Sequence, residues 1–312
     1  MRSFAKVCLI ICLALGCVGG ICLCAGVALG SGAREAMKYV ENEGIHLGNW
    51  HIGKWSVYYG DEEDYGDIEV EKGMLDKTFP AEEVNGLDID IKYGEVYLVT
   101  GDTDQIKINI DATKRNAYTC ENEDGEIILK DKSSIGIRKL GSLIHSKIKV
   151  TVSIPEGKAF DEVEIKTDAG SAEISHSLTA NEISLNVDAG EINAALLTSD
   201  GEIKADIGAG SLQVGQFLAA SLDVECGMGE AALSGTVTDE ADISCGMGSV
   251  ELNLDQPKSA YDFELSCGLG SICLNEQEFS STGTKQKIGN NNGAEIRLDC
   301  GLGELNVTTK ED

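Results

Sequence analysis

Proline, aromatic side chains and positive charge are all scarce in this chain. Three prolines in 312 residues leave long stretches free for uninterrupted backbone pairing. Aromatics at 5% argue against a conventional globular α/β core and for packing by small and aliphatic side chains. Lys and Arg number 25 against 53 Asp and Glu, a formal net charge of −28. A field of that sign excludes nucleic acid as a partner and disfavours anionic lipid surfaces. Several catalytic and ligand-binding signatures are missing too. There is no P-loop, no dinucleotide fingerprint and no Gly-x-Ser-x-Gly elbow. The four histidines (His46, His51, His145, His176) form no metal-binding helix motif, and no EF-hand loop or Gly-Gly-x-Gly-x-Asp calcium array occurs. No cofactor or metal is expected.

What is abundant is glycine, 37 residues, much of it in one register. The first copy of a nine-residue template reads Leu87, Ile89, Ile91, Gly94 and Val96. Apolar residues at alternate positions put one face of a short strand inward. The third such position is held in later copies by Thr167, Val187, Ile207, Cys226, Cys245, Cys267 and Cys300. Three residues on stands a corner glycine: Gly94, Gly170, Gly190, Gly210, Gly229, Gly248, Gly270 and Gly303. At these corners the spacing predicts a bend with φ > 0, which a Cβ would oppose. From Gly170 the glycines fall 20, 20, 19 and 19 residues apart, then 22 and 33. A period near 20 is too short for a propeller blade, and the leucine-rich pattern is absent. It fits coils that stack because one coil alone cannot bury its apolar face.

The expected fold is therefore all-β: a parallel β-helix-like solenoid of ~20-residue coils, about 45–50 Å long if roughly ten rungs stack at about 4.8 Å. The polar insertion Asn275–Asn292 is expected to leave the stack as a surface excursion. The strand edge after Val307 is expected to lie open to a partner strand.

Residues 7–30 carry no charge and follow Arg2 and Lys6. That length suits a helix crossing about 30 Å of hydrocarbon, with the basic end in the cytoplasm. A cleaved signal peptide ending near Ala28-Leu29-Gly30 and a lipoprotein modified at Cys17 are the competing readings. The division expected is 1–6 cytoplasmic, 7–30 transmembrane anchor, 31–84 juxtamembrane spacer and 85–312 solenoid, with the last outside the cytoplasmic membrane. The spacer holds Trp50 and Trp55, read as contacts to the membrane interface or a cap on the first coil, with sugar stacking as the alternative.

Eleven cysteines divide into five in the anchor (Cys8, Cys12, Cys17, Cys22, Cys24) and six beyond it. Four of the six share Cys-Gly-[Met/Leu]-Gly. They occupy the ladder position of Val187 and Ile207, so the template makes them buried free thiols acting as small hydrophobes. A bridge between neighbouring rungs is the alternative. The candidate site residues are thus structural: the ladder Val187, Ile207, Cys226, Cys245, Cys267 and Cys300, and the corner glycines. No catalytic residue is expected. The nearest thing to an active site is Asp168 stacked on Asp188 with Lys166 nearby; three or more close acidic and basic side chains on one face would favour a polysaccharide-processing enzyme.

With these residues set out, the chain resembles a bacterial domain-of-unknown-function family described as "putative adhesins". The segments that carry the likeness are Leu87–Val96, Val152-Ser153-Ile154-Pro155, Thr167-Asp168-Ala169-Gly170-Ser171 and the Cys-Gly-Met-Gly turns, within about Leu87 to Val307. The resemblance implies a membrane-tethered solenoid at the cell envelope, in some relatives linked to envelope-stress systems, and carries over no catalytic or binding residue. The expected function is non-catalytic display of a solenoid surface to cell-wall material or another envelope protein. The alternative is a β-helix enzyme acting on extracellular or cell-wall polysaccharide.

Overall fold

The computed structural model describes residues 45–47, 50–53, 56–59, 73–112, 118–131, 148–280, 285–289 and 292–311. The expected anchor at 7–30, its five cysteines, Trp55 and His145 lie outside them. Among the described residues, no helix is long and apolar enough to cross a membrane. They fall in two compact units. The first is a three-stranded antiparallel sheet of β1 (Ile45–Leu47), β2 (Trp50–Gly53) and β3 (Ser56–Tyr59). In its register His46 lies opposite His51, and Trp50 opposite Tyr59.

The second unit is one large sheet wound into stacked coils. It opens with β4 (Gly73–Pro80), β5 (Gly86–Ile91), β6 (Glu95–Gly101) and β7 (Gln105–Ala112). The hairpin β8 (Tyr118–Glu123) and β9 (Glu126–Asp131) follows, then β10 (Lys149–Pro155). The regular coils are β11 (Ala159–Thr167), β12 (Ser171–Val187), β13 (Glu191–Ile207), β14 (Ser211–Cys226), β15 (Glu230–Cys245) and β16 (Ser249–Pro257). The chain ends with β17 (Tyr261–Cys267), β18 (Ser271–Leu274), β19 (Gln277–Ser280), β20 (Gln286–Ile288), β21 (Ala294–Cys300) and β22 (Glu304–Lys310). Because β4 pairs antiparallel with β7, the sheet begins at Gly73, inside the segment expected to be spacer.

Within β12, inward and outward residues alternate until Asn181 and Glu182, two successive exposed residues where the register shifts. That slip turns the coil, so each long strand serves two stretches of ladder separated by a bulge. Pairing between coils is parallel and in register: Ile183 on Ile203, Leu185 on Ala205, Val187 on Ile207. The interior is filled with aliphatic side chains at 0–3% exposure, among them Leu185, Val224, Ile243 and Leu298.

The last coils do not stack in sequence order. β21 pairs with β15 on one side and β17 on the other, and β22 lies between β16 and β18. The final coil is thus inserted between two earlier ones. The edge after Val307 is consequently not open, since Asn253 faces Thr308 and Leu254 faces Thr309 across the ladder. Arg297 of the inserted coil reaches Asp242 (2.9 Å) and Glu240 (3.5 Å) on β15 and Glu295 (3.0 Å) on its own strand. The expected excursion at Asn275–Asn292 instead contributes two capping strands, β19 antiparallel to β18 and β20 antiparallel to β17. These cover the end where parallel stacking stops, a standard protection for an exposed sheet edge.

The corner glycines also depart from expectation. Only Gly94 among them has a positive φ, 125°. The others are fixed by stacking: a Cβ on Gly190 would strike the carbonyl of Gly170, and one on Gly303 the carbonyl of Gly248 and Cys245 Sγ, 2.7 Å away. Rungs close so tightly at the corner that each glycine leaves room for the one below.

Candidate functional site

Down the corner of the stack run three parallel columns, and their spatial order differs from their sequence order. The innermost is Ile91, Thr167, Val187, Ile207, Cys226, Cys245, Cys300 and Cys267. These eight rungs at about 4.8 Å span about 34 Å, shorter than expected because the chain at both ends goes into capping strands. Cys226, Cys245 and Cys300 are buried, Cys267 is half-buried, and all four are free thiols. Each fastens its corner: Cys226 Sγ donates to the carbonyl of Gly229 (3.2 Å), Cys300 to Gly303 (3.1 Å) and Cys267 to Gly270 (3.1 Å), while Cys245 reaches Glu304 at 3.7 Å. Thr167 fastens its corner in the opposite sense, its Oγ1 accepting from the Gly170 amide (2.9 Å). A thiol is small enough for the tight corner and still bonds a carbonyl, which Val or Ile cannot.

Burial pushes the Cys226 and Cys300 thiols up to about 11, and Cys245 upward as well. A protonated, enclosed thiol is a poor nucleophile. Native protein treated with iodoacetamide at pH 8 should therefore be modified at half-buried Cys267 and Cys273 well before Cys226, Cys245 and Cys300. The last three should react in denaturant without reductant. Peptide mass spectrometry reads the order, and a native bridge between any two would refute it.

The second column is the corner tip. Its later members Met228, Met247, Leu302 and Leu269 are 63%, 59%, 58% and 82% exposed. In the earlier coils the same position holds Tyr93, then Ala169, Ala189 and Ala209, the alanines stacked by the same amide-to-carbonyl bonds. The third column follows each corner glycine: Glu95, Ser171, Glu191, Ser211, Glu230, Ser249, Glu304 and Ser271. Carboxylate and hydroxyl alternate without a break, and only in the spatial order. Strand alternation accounts for the cysteine of Cys-Gly-[Met/Leu]-Gly but not for its third residue, because nothing in a period of two says that a corner tip faces solvent. An open groove of about 710 Å³ runs between the second and third columns of these last four rungs.

A second open groove, about 540 Å³, lies on the outer face of the strands that lead into the corner. Here the structure brings together Glu164, Lys166, Asn186, Asp188, Asp206 and Glu225. Asp168 and Asp188 sit on adjacent rungs, the Ala189 amide bonding the Asp168 carbonyl (2.7 Å). Asn186 Nδ2 donates to Glu164 Oε1 (3.2 Å), and Lys204 pairs with Asp206 (3.7 Å). Next to this face, burial raises Asp90 above the usual carboxylate range, opposed by Lys166 and helped by Asp168. Among the described residues no group of three or more His, Cys, Asp or Glu is arranged to hold a metal ion.

His176, at 2% exposure, is a buried titratable ring. Its Nδ1 lies 3.0 Å from Thr100 Oγ1, and its Nε2 is enclosed without a partner. Burial lowers its pKa, partly offset by the Glu156 carboxylate. The unfolded chain therefore takes up the proton first: stability from this ring is whole above about pH 6.5 and falls as acid is added. Melting curves at pH 7.5 and 5.5 should show a drop that His176→Leu makes smaller; an identical drop in both proteins would rule the ring out.

The profile of one family, described as Toastrack DUF4097, matches residues 84–292. Among solved structures, a "putative cell adhesion protein" from Clostridium sporogenes is 15% identical, over 77% of this chain and 100% of its own, with a TM-score of 0.34. A "putative adhesin" from Bacteroides fragilis is 14% identical over 77% and 99%, with a TM-score of 0.38. A "putative lipid binding protein" from Parabacteroides distasonis is 15% identical over 77% and 97%, with a TM-score of 0.34. A comparison with curated proteins finds no match. With the family profile covering two thirds of its length, the chain belongs to the Toastrack DUF4097 family.

Proposed function

We propose that this is a non-catalytic binding protein of the cell envelope, held at the membrane by residues 7–30 with its amino terminus in the cytoplasm and the stacked coils outside. The observation that carries the reading is the filled interior under repeated surface columns. Side chains such as Leu185, Val224 and Leu298 occupy the inside of the coils at 0–1% exposure, so recognition falls to the outer surface. Such a surface, with the same side-chain type recurring on successive rungs, binds by summing weak contacts along the stack. Cell-wall material or another envelope protein is the partner proposed.

One observation favours a second reading. The groove around Glu164, Lys166, Asp188, Asp206 and Glu225 places acids and a base on one face, as a polysaccharide-processing enzyme would need. The experiment treats both. Full-length chain is incubated with purified cell-wall polysaccharide, following retention of the protein and shortening of the glycan. Retention without cleavage is expected. Cleavage that disappears in Asp188→Asn would establish the enzyme instead.

A further inference from the structure

We propose that the corner row Met228, Met247, Leu302 and Leu269 seats one face of a short, basic, amphipathic helix from a partner protein. This rests on the binding reading above and names the chemistry of its partner. The fold does not need large side chains here, since Ala169, Ala189 and Ala209 hold the same position with the same backbone stacking. The first rung has half-buried Tyr93 at this position, and the run of four large apolar residues, each more than half exposed, on the last four rungs is therefore a surplus. A contiguous row of this kind marks an interaction surface.

Its neighbours select the partner. Glu230, Glu304 and, from the capping strand β19, Glu278 line the same groove; Glu230 and Glu304 are separated by Ser249 and stand two rungs apart, about 10 Å. In a chain of net charge −28 they repel a second copy and an anionic membrane, and attract Lys or Arg placed beside an apolar stripe. Spacing selects the partner's conformation. The apolar residues of a helix at i, i+3/i+4 and i+7 advance about 5 Å each, close to the rung repeat of about 4.8 Å. Same-face residues of an extended strand advance about 6.8 Å and fall out of step. Residues i and i+7 of a helix lie about 10.5 Å apart, matching the separation of the two carboxylates. The row spans about 14 Å, nine or ten helical residues.

The probe is a fluorescent 15-residue peptide with Leu at i, i+3, i+4 and i+7 and Lys elsewhere, titrated into full-length chain by anisotropy. Two further peptides carry Glu in place of Lys, or the same Leu and Lys scrambled. Saturable binding of the first alone is expected. Met247→Ser with Leu302→Ser should weaken it at least tenfold, and Glu230→Gln with Glu304→Gln should weaken it severalfold and flatten its salt dependence. These side chains are exposed, so both double variants should melt with the parent. Absence of saturable binding, equal binding of a control peptide, or binding unchanged in both variants overturns the proposal. So does a parent oligomer that Met247→Ser with Leu302→Ser dissociates, which would give the row to a second copy. Retention on cell-wall polysaccharide without peptide binding would sink this inference and leave the broader function standing.

Discussion

A chain ended at Asn292 should lose far more than its last coil. In a solenoid stacked in sequence order, removing residues 293–312 would shave one terminal rung and leave the rest intact. Here β21 and β22 fill the space between the β15–β16 coil and the β17–β18 coil. Truncation strips parallel partners from four strands at once and takes away the buried side chains of Ile296, Leu298, Leu305 and Val307, so that the core faces they cover open to water. At roughly 1.5–3 kcal/mol per buried aliphatic side chain, the lost burial is on the order of 6–12 kcal/mol, comparable to the whole stability of a typical domain. Hydrogen exchange should show β17 and β18 unprotected in the truncated chain, with β12 and β13 holding out longest. Protection of β17 and β18 at parental levels would mean the inserted position is wrong.

Val224→Asp is the second large effect. Val224 is fully buried, with Ala205 on one side of the ladder and Ile243 on the other. A carboxylate there has no partner, and an uncompensated buried charge costs about 3–5 kcal/mol. For a sheet of this size that lowers the melting temperature by roughly 10 °C. Glu225, the next residue, points outward, and Glu225→Lys should stay within about 0.5 kcal/mol of the parent. Equal shifts for the two variants would refute the assigned faces.

Much of this arrangement is legible in the sequence, because side-chain alternation has only two answers and burial chooses between them. Val187, Ile207, Cys226 and Cys245 do follow one another on neighbouring rungs, as a fixed 19- to 20-residue period requires. What period alone does not convey is neighbourhood. The gaps of 22 and 33 residues after Gly248 show that regular winding has ended, but not that Cys300 comes to lie between Cys245 and Cys267. Gly190 and Gly303 are visible as glycines, yet the reason for them is a carbonyl on another rung rather than their own φ. The same gap in the sequence signal hides the candidate groove. Its carboxylates and apolar tips come from four coils, one of them out of order.

The alternation of glutamate and serine beside the corner sets a rule for how such a protein can change length. Like charges directly opposite in a sheet are unfavourable, and a serine between them doubles their separation to about 10 Å, close to the Debye length in physiological salt. Dropping a single coil, such as the one that carries Glu191, would set Ser171 against Ser211; dropping the one that carries Ser211 would set Glu191 against Glu230. Removing or duplicating two adjacent coils keeps every carboxylate screened by a hydroxyl. For this column the unit of growth is a pair of coils, about 40 residues, and family members of different length are expected to differ by even numbers of rungs wherever the column is kept.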